Sequence, residues 1–236
     1  DGLASRALGF VHATRTPMTA KAQPTDLELA ALISSKICHD VIGPVGAINN
    51  GLEILDEEGD RDAQAYALEV IRNVTKRASA RLQFARFAFG ASGSAGSAID
   101  LDMARYLALA FVDDGKHTLT WTAASGLMAK DQVKLLLNLV ASAVTALPRG
   151  GTIQATVHGD LSAPRFVLVC AGRGARKPNF LTDLVEDQPI EDIDSMSIQA
   201  YYTWRLAELA EMDLAISESD AGITIEATEK RATVAA

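Results

Sequence analysis

From Thr25 to Leu55, apolar side chains recur at Ile33, Ile37, Val41, Ile48, Leu52 and Leu55, close to the 3.6-residue period of one helix face. The pattern predicts an amphipathic helix of about eight turns, capped by Thr25 or Asp26 and ended by the turn cluster Glu57-Glu58-Gly59-Asp60. A second helical stripe runs from Asp62 to Phe89 through Ala67, Val70, Val74, Ala78, Leu82, Ala85 and Phe89. The turn between the two is short, so they form an antiparallel hairpin, each arm about 40 Å long at 1.5 Å per residue. A lone hairpin leaves both stripes wet. Two hairpins joined as a four-helix bundle cover them, which predicts a homodimer.

Small residues then fill Gly90-Ala91-Ser92-Gly93-Ser94-Ala95-Gly96-Ser97, a composition with nothing to pack, and mark a linker. Beyond it the periods alternate. Helices are expected near Asp100–Phe111, Lys130–Ala146 and Ile198–Glu211, and strands at His117–Thr122, Thr152–His158, Arg165–Ala171, Leu214–Ser217 and Ile223–Thr228. This is the pattern of helices layered on a mixed sheet. The expected organisation is an extension or tail over 1–24, a helical hairpin over 25–90, a linker over 91–98 and an α/β domain over 99–236. Within the tail, Met18-Thr19-Ala20-Lys21 reads like a start preceded by an extension, so 1–17 carries no weight in the fold.

Composition narrows the partners. At 236 residues and 48% hydrophobic content the chain can bury a core in each of two domains. A net charge of −8 and a pI near 5.0 provide no global basic field, so nucleic acid is not an expected partner. Cys38 and Cys170 show no paired spacing, which fits a reducing, cytoplasmic setting. No apolar run approaches the roughly 20 residues of a membrane span, and no membrane association is expected.

The sharpest local feature is Cys38-His39-Asp40-Val41-Ile42-Gly43-Pro44. His39 lies about 200° around the helix from Ile37, away from the apolar stripe, and so faces solvent. Pro44 removes the hydrogen bond to the Asp40 carbonyl, which predicts a bend one turn beyond the histidine. This segment resembles the dimerisation and phosphotransfer motif of sensor histidine kinases, where a phosphorylated His is followed by an acidic residue and, five positions on, by Pro. His39, Asp40 and Pro44 match those positions.

In the second half, Leu136-Leu137-Asn138-Leu139-Val140-Ala141-Ser142-Ala143 resembles the N-box helix of the kinase ATPase domain, and Gly172-Arg173-Gly174 resembles the remnant of its first glycine box. The functional positions depart from the pattern. Ser142 stands where the metal-binding Asn would be, Cys170 where an Asp would hold the adenine amino group, and Asp194-Ser195-Met196-Ser197 where a phosphate-cradling glycine loop would precede a helix. A phosphoacceptor hairpin followed by a degenerate ATPase-like domain resembles the ChpT family of alphaproteobacterial histidine phosphotransferases, over roughly residues 26–230.

The fold class expected is α plus α/β: a two-helix hairpin forming a dimeric four-helix bundle, then a degenerate histidine-kinase-like ATPase sandwich. The resemblance implies a phosphotransferase that accepts a phosphoryl group on His39 from the receiver of a CckA-type hybrid kinase and passes it to CtrA-type and CpdR-type response-regulator receivers. It implies no cofactor on this chain, with Mg²⁺ supplied by the partner receiver. Asp40 is either the group that orients the imidazole or an ordinary solvated residue.

Lys36, Gly43, Gly46 and Asn50 share the face of His39, where small residues leave room for a partner or accommodate the Pro44 bend and close packing. On the second helix Lys76 and Gln83 complete the expected partner-binding set. Residues 62–90 carry Arg72, Lys76, Arg77, Arg81 and Arg86 against Asp62 and Glu69, a locally positive face in an acidic protein. The run Asp183, Glu186, Asp187, Glu191, Asp192 and Asp194 is expected as a solvated loop in the place of the kinase ATP lid. A divergent but active histidine kinase and a noncatalytic receiver-binding adapter are the alternative readings.

Overall fold

The computed structural model describes residues 23–57, 60–90, 97–190 and 192–230. The tail before residue 23, most of the expected linker, the tip of the hairpin turn and Glu191 lie outside the described residues. Two long helices, α1 (Asp26–Asp56) and α2 (Arg61–Ala88), form the antiparallel hairpin. Thr25 opens α1 with a capping box: its hydroxyl accepts from Glu28 N at 3.3 Å while Glu28 Oε2 accepts from Thr25 N at 2.8 Å. Asp60 caps α2 through Asp62 N at 3.0 Å. The helix α1 runs unbroken through Pro44.

By length and composition α1 is apolar enough to cross a membrane, which corrects the reading that no stretch approaches that limit. The run is interrupted by Lys36, His39 and Asp40, and α1 packs along one side on α2 and near its start on the second domain. Apolar length in a hairpin serves partner helices as readily as lipid.

The second domain adds β1 (Ala98–Asp100), α3 (Leu101–Val112), β2 (His117–Thr122), β3 (Leu127–Ala129), α4 (Lys130–Ala146), β4 (Gly151–His158), β5 (Arg165–Ala171), α5 (Asn179–Val185), α6 (Ile198–Leu209), β6 (Met212–Ser219) and β7 (Gly222–Glu229). Five strands form one sheet in the order β2-β4-β5-β7-β6, parallel only between β2 and β4 and antiparallel elsewhere. The parallel pair needs a crossover, and α4 supplies it. Helices α3, α4 and α6 cover one face, with Leu136, Leu139, Ile153, Leu168 and Ile225 fully buried between the layers.

Several expectations change at the edges. Ala98 already belongs to β1, paired with Ala129 of β3, so the second domain begins inside the expected linker. These two three-residue strands are too short to show a period in sequence. Part of the acidic stretch is not loop, since Asp183 sits on α5, whose Leu181 and Leu184 are buried against α6. The 1, 4 spacing of those leucines was the signal, masked by the flanking acids. Helix α6 stops at Leu209, and Glu211, at a positive φ of 54°, turns the chain into β6.

The larger correction concerns the hairpin, which is packed into the second domain rather than set apart from it. Phe84 and Ala88 of α2 belong to the main core, and Phe84 stacks on Phe111 of α3 with ring centroids 3.9 Å apart. Leu29, Leu32 and Ile33 of α1 pack on the cluster of Leu181, Leu184, Ile198, Tyr201 and Trp204. Leu82 of the expected stripe is exposed in the single chain, while Phe84, two residues on and about 200° around the helix, is buried.

Candidate functional site

On α1 the side chain of His39 is 64% exposed, and Gly43, Gly46 and Asn50, one, two and three turns on, are exposed with it. A Cβ added at Gly43 or at Gly46 would find no atom within 4 Å, so these glycines pack against nothing in the monomer. The α1 glycine that does serve packing is Gly51, where a Cβ would come within 2.7 Å of Ile71. Sequence reasoning missed it. Its signal was position, on the side of α1 that faces α2.

Asp40 does not hydrogen-bond the imidazole. Its Oδ1 lies 3.6 Å from His39 Nδ1, while its Oδ2 accepts from Lys36 Nζ at 2.5 Å. Lys36, expected to meet a partner, is instead half-buried and spent on Asp40. The pair lies in a crevice of about 50 Å³ walled by Arg81, Leu82 and Ala85 of α2, Phe111 of α3, Ala141 of α4 and Gln199 of α6. Arg81 thus lies across the hairpin from Asp40, the residue after His39.

Lys76 and Gln83 do not line that crevice. They line a separate cleft of about 390 Å³ between α2 and α3, with Arg77, Tyr106 and Asp113, and Lys76 Nζ donates to Asp113 Oδ2 at 3.1 Å. Lys76 lies 140° around the helix from Arg81, so the two cannot serve one face.

The residues at the positions that resemble the kinase nucleotide boxes are bonded to protein. Asn138, fully buried, donates to the carbonyls of Ala88 at 3.0 Å and Lys134 at 2.9 Å. Ser142 Oγ donates to Asn138 O at 3.0 Å, and Gln199 Nε2 donates to the same carbonyl at 2.9 Å. Cys170 is buried, and loss of solvent pushes its thiol up to about 12, so it stays neutral. Gly172 is held to glycine by close backbone, since a Cβ there would stand 2.4 Å from Gly150 O. Ahead of α6, Asp194 Oδ1 accepts from Met196 N at 2.9 Å and Ser197 N at 2.8 Å, so its own carboxylate occupies the N–H groups a phosphate would seek. Hydrogen bonds from the Ser197 backbone and hydroxyl hold the Asp194 carboxyl below its ordinary range. Among the described residues no group of three His, Cys, Asp or Glu side chains could hold a metal ion.

A solvent-facing histidine on a two-helix hairpin, joined to an ATPase-like sandwich of helices on a mixed sheet, defines the histidine-phosphotransferase class. Residues 101–222 match the family model for the histidine phosphotransferase C-terminal domain. The chain is 49% identical over 191 residues to the protein phosphotransferase ChpT of Brucella abortus (strain 2308), covering 80% of this chain and 90% of that one. It also matches a solved bacterial phosphotransferase with a TM-score of 0.81 at 41% identity, covering 88% of this chain and 98% of the other. The chain belongs to the ChpT-type histidine phosphotransferase family.

Proposed function

We propose that His39 is the phosphoryl carrier of a phosphorelay, taking the group from a receiver-domain aspartyl phosphate and passing it to another receiver. The observation that carries this reading is the open face around His39, where an exposed imidazole is followed by two glycines that touch nothing. With Nδ1 turned toward Asp40, Nε2 is the outward nitrogen and attacks phosphorus. The P–N bond forms as the P–O bond to the donor aspartate breaks, and the freed carboxylate leaves with the electron pair. Attack by an acceptor aspartate reverses the step.

The receiver contributes the aspartate and its Mg²⁺, and this chain contributes position. In this reading the donor is the receiver of a CckA-type hybrid kinase and the acceptors are CtrA-type and CpdR-type receivers, supported by the resemblance to the family. Arg77 and Arg81 favour an approaching acidic receiver pocket. The protein acts as a cytoplasmic homodimer that does not bind ATP. Support for the dimer comes from Ile42, Val45, Leu52, Tyr66 and Leu82, apolar side chains of the hairpin that are 42% or more exposed in the single chain. Support for the loss of ATP comes from the protein bonds already made by Asn138, Ser142 and Asp194.

The test is incubation with a phosphorylated receiver and detection of acid-labile label on this chain. His39→Ala should lose the label entirely while changing stability by less than about 0.5 kcal/mol, because the side chain is exposed. Label retained on that variant refutes the reading, and stable receiver binding without any label on the parent protein makes it an adapter.

A further inference from the structure

The carbonyl of Ala88 is one of the last four of α2, a group with no partner inside its own helix, and Ala88 is fully buried. Its partner comes from the other domain, because Asn138 Nδ2 donates to it at 3.0 Å from the middle of α4. The same amide donates to Lys134 O at 2.9 Å, so both of its protons are used.

On the next layer Gln199 Nε2 of α6 donates to Asn138 O at 2.9 Å and to Thr203 Oγ1 at 2.9 Å, and Thr203 Oγ1 returns a bond to Gln199 O at 2.7 Å. The chain of bonds runs from the end of α2 through α4 to α6, with the Asn138–Ala88 bond joining the hairpin and the bonds of Gln199 tying α6 to α4 behind it. Gln199 also walls the crevice that holds Lys36 and Asp40, next to His39. A buried polar network of this kind is satisfied in one arrangement of its helices and broken in others, so it selects a single pose where apolar contact alone tolerates sliding.

We infer that Asn138 and Gln199 are positioning residues, a latch that fixes the ATPase-like domain on the hairpin in one pose and so keeps the Lys36–Asp40 crevice formed and His39 open. The contacts around the latch agree, since α1 and α2 are both packed on the second domain, at Leu29, Leu32 and Ile33 and at Phe84. The role of the latch for His39 rests on the reading of His39 as phosphoacceptor. The pose itself does not.

The experiment places spin labels on the full chain at Arg72→Cys on α2 and Glu218→Cys on β6, both exposed, in a Cys38→Ser background that leaves only the buried Cys170. Labelled protein is diluted into unlabelled protein so that only distances within one chain are read. The parent should give one narrow distance distribution. Asn138→Ala and Gln199→Met should each broaden it. In unlabelled protein both should slow phosphoryl uptake from a receiver by about tenfold while uptake from phosphoramidate, a donor too small to need docking, stays within about twofold.

Gln199→Met removes the outer bonds from a half-buried site and decides alone if Asn138→Ala does not fold. Distributions as narrow as the parent's in the folded variants overturn the latch, and broadening without slower receiver-dependent uptake overturns its positioning role. Failure of phosphoramidate to label even the parent would instead strike the reading of His39 and leave the distance measurement to judge the pose.

Discussion

Asp40 Oδ1 stands 3.6 Å from His39 Nδ1, beyond hydrogen-bonding distance, because the other oxygen of that carboxylate is held by Lys36. Removing Lys36 should free the carboxylate to close the gap and hold the Nδ1 proton as Nε2 attacks. Lys36→Met should therefore accept phosphoryl faster than the parent, and adding Asp40→Ala to it should remove that gain with the fold intact. Single-turnover uptake from a phosphorylated receiver measures both. Equal rates for Lys36→Met and the parent would leave Asp40 as a solvated neighbour.

Gly43 and Gly46 have open space where a side chain would stand. Alanine at either position should stabilise α1 by about 0.5–1 kcal/mol, read as a higher denaturation midpoint, and leave uptake unchanged. Tryptophan should fold equally well, still react with phosphoramidate and fail to take the group from a receiver. Wild-type relay by Gly43→Trp would move the docking face elsewhere.

Val45 and Leu52 lie seven residues apart on one stripe of α1, 54% and 47% exposed. Sedimentation should give a dimer at micromolar concentration. Val45→Asp with Leu52→Asp should weaken it by at least about 100-fold, since each carboxylate would enter an apolar seam. A monomeric parent would end the four-helix bundle.

Mg-ATP should give no heat of binding with the parent protein by titration calorimetry. The Asn138 amide already satisfies two protein carbonyls, and Asp194 already fills the backbone donors ahead of α6. Binding in the micromolar range would restore a kinase reading.

Asp114 gives a pH signature away from His39. Partial burial pulls its carboxyl upward, but hydrogen bonds from the backbone of Lys116, the His117 side chain and the His117 backbone outweigh this and hold it below the ordinary range. A depressed carboxyl contributes stability that is present above its unfolded value near 3.8 and is lost as pH falls through the lower folded value. The loss thus falls below pH 4. Asp114→Asn should cost about 1–2 kcal/mol at neutral pH and flatten the acid limb of a denaturant-melt series. An unchanged acid limb would refute the assignment.

The hairpin, most strands and the exposure of His39 were legible in the chain because each rests on a local period or a short turn. The Ile33–Leu55 stripe sets the orientation of α1, and His39 follows from its angle to Ile37. The motif His39-Asp40 with Pro44 suggests the proposed chemistry without any tertiary information. The same local logic says nothing of Phe84, which lies off the expected stripe on α2 and is buried by stacking on Phe111 of α3.

What the sequence alone determined is therefore the set of elements and the exposure of His39, because backbone propensity, helical period and turn chemistry act over a few residues. Tertiary structure decided how those elements meet. Lys36 belongs to Asp40 and Lys76 to Asp113, Gly51 rather than Gly43 serves packing, and Asn138 bonds to Ala88 across 50 residues of chain. Those pairings depend on the angle at which α2 docks on α3 and α4. That angle is set by the summed packing of many side chains, and no single stretch of sequence carries it.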